Sequence, residues 1–359
     1  MDFKTFLEHF DTIADAPNGI PKLRSLILDL AVQGKLVQQN PDDEPAKALI
    51  QRINKHQGKL YIQHDDESSK EVQLPKGWEL VRLGDVLISD IGGGTPSKQN
   101  PQYWNGEIPW ASVKDTGKTK YLDRTIDSIT ELGLKESSSN LIPPGRLIVC
   151  VRMGLGKLSI NSISIAINQD LRALEPHPEI SLDYLYNFFL NCKIQGAGMT
   201  VKGIKRMELL NLALPLPPLA EQKQIVEKVD ELMALCDRLQ AAKQTRDTLR
   251  QKLRGSAIDS LMNAETDEAL QKGWAIVRDN WVELSQSPED VGDLRRSVLQ
   301  LAVRGKLVNQ DPEDESAKQL LLKAVQEKTL MAQAGLISKP KQLASISEDE
   351  YPLPLQGQA

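Results

Sequence analysis

A stretch of 26 residues occurs twice in this chain: Leu23–Ala48 reads LRSLILDLAVQGKLVQQNPDDEPAKA and Leu294–Gln319 reads LRRSVLQLAVRGKLVNQDPEDESAKQ. The offset is constant (294 − 23 = 271 residues), and 16 of the 26 aligned positions are identical. Solenoid units stack on their neighbours along the chain, and these two copies lie too far apart for that. The repeat therefore predicts one structural element that is used on both sides of an intervening domain.

Both copies are predicted to be helical, because their apolar residues recur at alternating spacings of three and four. The two seams are Ile20, Leu23, Ile27, Leu30, Gly34 and Val37 in the first copy, and Val291, Leu294, Val298, Leu301, Gly305 and Val308 in the second. The glycine in each seam is interpreted either as a close-contact point or as a helix C-cap. A proline and an acidic run follow each seam and predict second helices over 46–55 and 317–328.

A third helical tract is predicted from Leu219 to about Leu261, because 222–254 contains neither glycine nor proline. A helix of about 35 residues would be about 50 Å long. Its apolar stripe comprises Ile225, Val229, Leu232, Cys236, Leu239, Ala242, Leu249 and Leu253. Such a stripe needs a partner helix, and the repeated seams are available as partners. The tract is interpreted either as a coiled-coil dimerisation arm or as a spacer between two binding heads.

The middle of the chain, residues 76–218, is rich in Gly, Pro, Ser and Asn. Its short apolar runs at 147–153 and 162–167 are bounded by turn residues and predict strands. The segments 81–88 and 212–218 add one or two strands, and 182–192 is predicted to be a helix. The predicted fold class is α+β: one compact domain with mixed or antiparallel strands and long loops, flanked by long coiled-coil-like helices.

The composition excludes several classes of protein. The 359 residues contain no apolar run of 18, so no membrane span is predicted and a cytoplasmic location is the expectation. Three widely spaced cysteines without a Cys-x-x-Cys pair argue against a zinc site and a disulfide framework. The net charge of −5 divides into +2 for residues 76–218 (16 Lys+Arg, 14 Asp+Glu) and −7 for the rest (28 against 35). The middle can therefore bind nucleic acid although the whole chain is acidic.

Motifs for catalysis are incomplete. Asn100–Tyr103 reads NPQY and approximates the tetrapeptide with which adenine methyltransferases hold their target amine, but no glycine-rich cofactor turn accompanies it. Gly154–Lys157 resembles the end of a phosphate-binding P-loop, but the required glycine and hydroxyl residues are absent at Val151 and Leu158. We interpret it as a turn that presents a lysine. The sequence predicts a protein that binds rather than one that catalyses.

Basic and hydroxyl residues recur in the Gly/Ser-rich loops of the middle domain, as phosphate binding requires. The candidate DNA-binding residues are Gly93, Gly94, Thr95, Ser97, Lys98, Lys114, Arg152, Lys157, Lys202, Lys205 and Arg206. The alternative is that each lysine is an ordinary solvated charge, and that Trp104 and Trp110 belong to the core rather than stack on bases. Lys118 and Lys120 extend the basic stretch.

Five segments resemble the specificity subunits of type I restriction–modification systems. They are LPKGWE (Leu74–Glu79), GGGTPSKQNPQYWNGEIPWASVKD (Gly92–Asp115), LIPPGRLIVCVRMGLGKLSI (Leu141–Ile160), AINQDLRAL (Ala166–Leu174) and PLPPLAEQKQIVEKVDEL (Pro215–Leu232). The resemblance implies a non-catalytic subunit whose target-recognition domain reads one half of a bipartite site in double-stranded DNA. It also implies helices that dock methyltransferase subunits, which recruit a restriction subunit. S-adenosylmethionine, ATP and Mg²⁺ are then expected only in partner subunits, with no cofactor or metal in this chain.

The resemblance also suggests a division of the chain into five parts. They are the first helical region 1–75 (repeat copy 20–57), the recognition domain 76–218, the spacer helix 219–263, the second helical region 264–345 (repeat copy 291–330) and 346–359. The last part matches the start of a second recognition domain, so we expect either a natural half-length subunit or a truncated form of a longer one. In the first case we expect two copies to pair and to supply two half-sites. The alternative is an architectural coiled-coil adaptor without DNA specificity of its own.

Overall fold

The computed structural model describes residue 5 and residues 8–57, 74–192, 203–308, 311 and 313–338. The chain divides into two compact units, Met1–Ala241 and Ala242–Ala359. Within the described ranges, every helix lacks the length or the apolar content that crossing a bilayer requires. The segment 346–359 lies outside the described residues, and the five-part division stays a prediction.

The first helical region forms three helices in unit 1: α1 (Phe10–Asp15), which precedes the repeat, and α2 (Gly19–Val32) and α3 (Ala46–Gln57), which contain the first repeat copy. Gly34 ends α2 with φ +64°, and the next amide, of Lys35, donates to the Leu30 carbonyl at 2.9 Å. A side chain at Gly34 would collide with Pro75 and Trp78. Both interpretations of this glycine are therefore right, because it is a helix C-cap and also a point of close contact.

Short strands build the middle of unit 1. The strands are β1 (Glu79–Arg82), β2 (Leu87–Gly92), β3 (Trp104–Ala111), β4 (Tyr121–Leu122), β5 (Asp127–Ile129), β6 (Leu141–Ile142), β7 (Leu147–Cys150), β8 (Leu158–Asn161), β9 (Ile165–Ile167), β10 (Leu171–Pro176) and β11 (Ala213–Leu216). The helices are α4 (Glu131–Lys135), α5 (Leu182–Asn191) and α6 (Arg206–Leu210). Single 3₁₀ turns occupy Leu83–Val86 and Pro101–Tyr103.

These strands form three sheets, with the orders β2-β10-β7-β8-β4, β5-β3-β9-β6 and β1-β11. The pairs β3–β9 and β4–β8 are parallel and the others are antiparallel. The α+β prediction with mixed strands is confirmed. The predicted strand over 81–88 is wrong in part, because the 3₁₀ turn interrupts it. There the Arg82 amide donates to the Asp85 carboxylate at 3.1 Å, which stabilises a turn instead of an extended backbone.

The first and last strands of the middle domain pair with each other. In the β1–β11 ladder, Glu79 lies opposite Leu216 and Arg82 opposite Ala213. The Trp78 indole, just before β1, donates to the Glu221 carboxylate at 2.9 Å, just after β11. The chain therefore enters and leaves the domain at one place.

The long-helix prediction is confirmed by α7 (Leu219–Met262). In unit 1 its seam residues Ile225, Val229, Leu232 and Cys236 are buried in one core with the first repeat copy. Seam residues Leu23, Ile27 and Leu30 lie in the same core, whereas Leu239 is only partly buried there. An ion pair between Arg24 and Asp237 also joins the two helical regions. In unit 1 the first repeat copy is therefore the partner of the stripe.

Unit 2 contains the rest of α7 with α8 (Asp267–Asp279), α9 (Trp281–Leu284), α10 (Pro288–Val303) and α11 (Ala317–Gln333). Seam residues Leu294 and Leu301 are buried with Ala257 and Leu261 of α7, and Leu253 packs against them. Val298 is 36% exposed and Leu249 is 59% exposed. The second seam is therefore only partly covered within its own unit.

Candidate nucleic-acid interface

The strand registers bring several loops to one end of the middle domain. The parallel strands β3 and β9 end together, at Ala111 and Ile167. The strands β2 and β7 end opposite the start of β10, at Gly92 and Cys150. The connections that leave from this end form a surface that we call the loop end. It comprises 92–98, 112–126, 151–157 and 168–170.

The first loop uses its glycines to pack inside the domain. The Gly94 amide donates to the Ile167 carbonyl at 3.0 Å, and the Gly94 carbonyl accepts from the Trp110 indole at 3.1 Å. A side chain at Gly93 would collide with the Ile167 carbonyl. This packing explains both glycines without a ligand, so their contact with DNA stays a prediction.

Polar residues of the same loop lie further out. Thr95 donates its hydroxyl to the Gln169 side chain, which ties the loop to the β9–β10 turn. Ser97 and Lys98 are exposed, and the Ser97 carbonyl accepts from the Trp104 indole at 3.1 Å. The rings of Trp104 and Trp110 lie edge to face, 5.2 Å apart. Trp110 is a core residue, as the alternative interpretation holds, and Trp104 is half-buried.

The β7–β8 loop presents two predicted cations. Its backbone is fixed because the Val151 amide donates to the Asp170 carbonyl at 2.8 Å, and the Val151 carbonyl accepts from the Ile204 amide at 2.9 Å. Arg152 is exposed and forms an ion pair with Asp170 at 3.5 Å. Lys157 is exposed and has no carboxylate within ion-pair distance among the described residues. Gly154–Lys157 thus forms a turn that presents a lysine.

The 112–126 loop lies against the β7–β8 loop, since a side chain at Gly154 would meet Val113 and one at Gly117 would meet Lys157. Lys114 is exposed beside Asp115, whose buried carboxylate accepts from the Ser112 amide at 2.8 Å. A cavity of about 450 Å³ opens in the same loop and is lined by Lys118, Lys120 and Arg124 among others.

Lys120 has an internal role that its sequence neighbourhood does not reveal. Its ammonium group lies 2.9 Å from Asp183 of α5 and 3.8 Å from Asp230 of α7. Burial lowers the pKa of Lys120, but the hydrogen bond that Lys120 donates to Asp183 and the nearby charges outweigh that effect and raise it. Lys120 therefore joins the loop end to the helices.

The late basic cluster is divided by its contacts. Lys202 lies outside the described residues. Lys205 is exposed at the start of α6, where its amide donates to the Glu208 carboxylate at 2.9 Å. Arg206 donates to both oxygens of Asp90 at 2.7 Å, and this hydrogen bonding raises the pKa of the guanidinium.

Asp90 was not among the residues predicted from the sequence, although it pairs with two arginines of the middle domain. Its side chain is 9% exposed and also pairs with Arg172 at 2.6 Å. One carboxylate therefore lies between two arginines, from β10 and α6. Only the alternation of side chains along paired strands could have placed Arg172 near Asp90. Nothing local in the sequence relates Asp90 to Arg206, because the two residues are 116 positions apart.

The incomplete catalytic motif has a structural explanation. The Asn100 side chain accepts from the Gln102 amide at 3.1 Å and caps the 3₁₀ turn Pro101–Tyr103.

The loop end offers exposed lysines in loops that hydrogen bonds restrain, with hydroxyl groups beside them. Such a surface can bind a polyanion.

Comparison with known proteins gives consistent matches. Residues 75–246 match the family described as the type I restriction modification DNA specificity domain. The chain is 32% identical to the specificity subunit of the type I restriction enzyme EcoAI from Escherichia coli, over 94% of this chain and 60% of that protein. The EcoEI specificity subunit from the same organism matches with the same identity and coverage.

A solved HsdS subunit from Thermoanaerobacter tengcongensis is 21% identical, with a TM-score of 0.38 over 62% of this chain and 49% of that chain. The chain spans about 60% of the length of the two curated relatives.

Proposed function

We propose that this chain is a specificity subunit of a type I restriction–modification system, and that it reads one half of a bipartite site in double-stranded DNA through the loop end. The observation that carries this proposal is the group of exposed lysines there, Lys98, Lys114 and Lys157. Among the described residues none of the three has an ion-pair partner. Their charge is therefore free to bind phosphates.

The two candidate arginines suit a role other than phosphate binding, because each already has an ion-pair partner. Arg206 pairs with Asp90, and Arg152 pairs with Asp170. We expect these arginines to be oriented by their carboxylates, so that any base contact they make is directional. Thr95, Ser97 and Lys205 complete the proposed contact set. Most contacts should position the backbone and a minority should read base edges.

The chain is proposed to act without catalysis of its own. Its relatives are specificity subunits of type I restriction enzymes. Methyltransferase subunits would dock on the helices and recruit a restriction subunit, and those partners would bind S-adenosylmethionine, ATP and Mg²⁺. The helical surfaces of both units are the proposed docking sites.

Charge reversal tests the DNA proposal. Lys114→Glu with Lys157→Glu should lower the affinity for every duplex and flatten its dependence on salt, since log K falls with log salt by about 0.9 per phosphate contact. Lys223→Glu, an exposed lysine on α7 in the same unit, is the matched control. The measurement is titration of a random duplex pool at several salt concentrations. Equal affinities for the double variant and the control would show that the loop end is not the DNA-binding surface.

The same titration tests one rival function, and a methyl-transfer assay tests the other. An architectural adaptor without DNA affinity would give no binding at any salt concentration. A methylating enzyme would transfer label from S-adenosylmethionine to DNA without other subunits, and we expect no transfer.

We further propose that two copies of the chain pair. The support comes from the two repeat copies, which share a sequence but not an environment. Leu49 and Ile50 are at most 1% exposed, whereas their counterparts Leu320 and Leu321 are 61% and 67% exposed. Leu28 is buried, and its counterpart Leu299 is 58% exposed. Burial of an aliphatic side chain contributes about 1.5–3 kcal/mol, so this face favours association.

Light scattering after size exclusion tests the pairing. Leu320→Lys with Leu321→Lys should convert a dimer to a monomer. Ile126→Lys, at a site 63% exposed in unit 1, introduces the same side chain elsewhere and should leave the dimer intact. A wild-type chain that is monomeric at all concentrations would reject self-pairing without affecting the DNA proposal.

A further inference from the structure

We infer that Met153, at the tip of the β7–β8 loop, makes an apolar contact with the bases of the bound duplex. This inference rests on the proposed DNA-reading function and adds a specificity residue to it. Met153 has a φ of +58° and is 65% exposed. Both properties are unfavourable for a methionine in the free chain.

The backbone conformation is the first argument. Three non-glycine residues among those described have positive φ, namely Asn18, Asn105 and Met153. Asparagine tolerates the left-handed region, because its short polar side chain can hydrogen-bond locally, but methionine has no such compensation. Residues held in this region despite strain are often found at functional sites.

The surrounding contacts keep Met153 in this conformation. On one side, Val151 is held by the Asp170 carbonyl and the Ile204 amide. On the other side, the Lys157 amide donates to the Gly154 carbonyl at 3.0 Å. These hydrogen bonds restrain the loop backbone on both sides of Met153. Glycine would suit this position better on conformational grounds alone.

The position of the side chain is the second argument. Arg152 precedes Met153, Lys157 follows four positions after it, and both are exposed. A single exposed apolar residue needs no explanation on most surfaces. Here it combines with a left-handed backbone conformation and with two exposed cations of the same loop, Arg152 and Lys157.

An apolar side chain gains nothing from a phosphate. It gains from the thymine methyl group or from the faces of a base step, where Leu, Ile and Met are known to act. The flexible thioether chain of methionine can adapt to such a surface. Lys157 would then hold the DNA backbone while Met153 contacts a base pair.

The test uses the full chain and selection from a random duplex pool. Met153→Gly removes the side chain and relieves the backbone, so its melting temperature should equal or exceed that of the wild type. It should lose preference at one or two base pairs by about 5- to 100-fold, with an unchanged salt slope. Met153→Leu keeps an apolar side chain and should retain most of that preference.

Lys157→Ala is the matched control in the same loop, and it should weaken all sequences alike and reduce the salt slope by about 1. The inference is overturned if Met153→Gly keeps the wild-type preference at every position, or if it weakens all sequences equally. If the wild-type chain shows no sequence preference, the proposed function fails and this inference falls with it. The two failures are therefore distinguishable.

Discussion

Glu221 illustrates at the scale of a single residue how a family motif can serve the fold. This residue is 2% exposed, and its carboxylate accepts from the Trp78 indole at 2.9 Å and from the Gln39 side-chain amide at 3.3 Å. The neighbouring Gln222 accepts from the Ser181 amide at 2.9 Å and donates to the Pro217 carbonyl at 3.0 Å. The PLPPLAEQ segment therefore fastens the two ends of the middle domain to each other.

The Glu221 contacts predict opposite results for two substitutions. Glu221→Ala leaves the buried Trp78 N–H without an acceptor and should lower the free energy of unfolding by about 1–3 kcal/mol. Glu221→Gln keeps an acceptor and removes a buried charge, so it should stay within about 1 kcal/mol of the wild type. Urea denaturation of both variants measures the difference. Equal losses would show that the hydrogen bond to Trp78 is not what matters.

Glu221 also predicts a pH dependence. Burial raises the pKa of its carboxyl group, and the nearby Asp43 raises it further, while the hydrogen bonds from Trp78 and Gln39 partly oppose this. A raised pKa in the folded state means that the folded chain binds this proton more tightly than the unfolded chain does. The contribution of Glu221 to the free energy of unfolding is then fully present below the ordinary carboxyl pKa. It is lost as the pH rises through the raised pKa of the folded state. Glu221→Gln should flatten this part of a plot of unfolding free energy against pH.

Asp90 provides a second prediction at this scale. Asp90→Ala removes the partner of Arg172, whose side chain is only 17% exposed, and should lower the free energy of unfolding by about 2–4 kcal/mol. Arg206→Ala breaks a pair that is 56% exposed on the arginine side and should cost about 0–1 kcal/mol. Thermal unfolding compares them. A larger loss for Arg206→Ala would contradict the assignment of Arg172 as the buried partner.

At the scale of elements, one helix contacts both copies of the repeat. The first part of α7 shares a core with the first copy in unit 1, and Leu261 shares one with the second copy in unit 2. In unit 2 the contact is reinforced by Arg254, which pairs with Asp290 and Asp293. The two copies thus use the same apolar seam against the same helix.

Two leucines on α7 test this arrangement. Leu232 is 3% exposed and Leu249 is 59% exposed. Leu232→Ala should lower the free energy of unfolding by about 2–5 kcal/mol, because it leaves a cavity in a packed core. Leu249→Ala should change it by about 0.5 kcal/mol or less. If denaturant titration gave equal losses, the stripe would not be packed as described.

The period of the apolar residues predicted the helical elements well, because burial of one face is a local signal. It could not predict that Leu249 is exposed while Leu232 is buried, because both occupy the same stripe. The strand over 81–88 was predicted from its apolar residues, and the side chain of Asp85 stabilised a turn there instead. The cations of the loop end were recognisable by type, but their long-range partners Asp90 and Asp170 were not.

At the scale of the whole molecule, self-pairing makes a prediction about the DNA site. Two copies related by a two-fold axis should read two identical half-sites in inverted orientation. Co-expression with a cognate methyltransferase subunit, followed by mapping of modified adenines across a genome, would reveal the site. An asymmetric site with two different halves would contradict pairing of identical copies.

The ladder between β1 and β11 has a consequence for how such proteins acquire new targets. Because the chain enters and leaves the middle domain at paired residues, the segment from Glu79 to Leu216 is connected to the rest of the chain at one place. Domains with neighbouring termini tolerate exchange for another domain, because they are joined to the rest of the protein only at those two adjacent ends. We expect recombination at these two ends to replace the segment between them in a single event, and so to change the proposed DNA target without changing the helical frame.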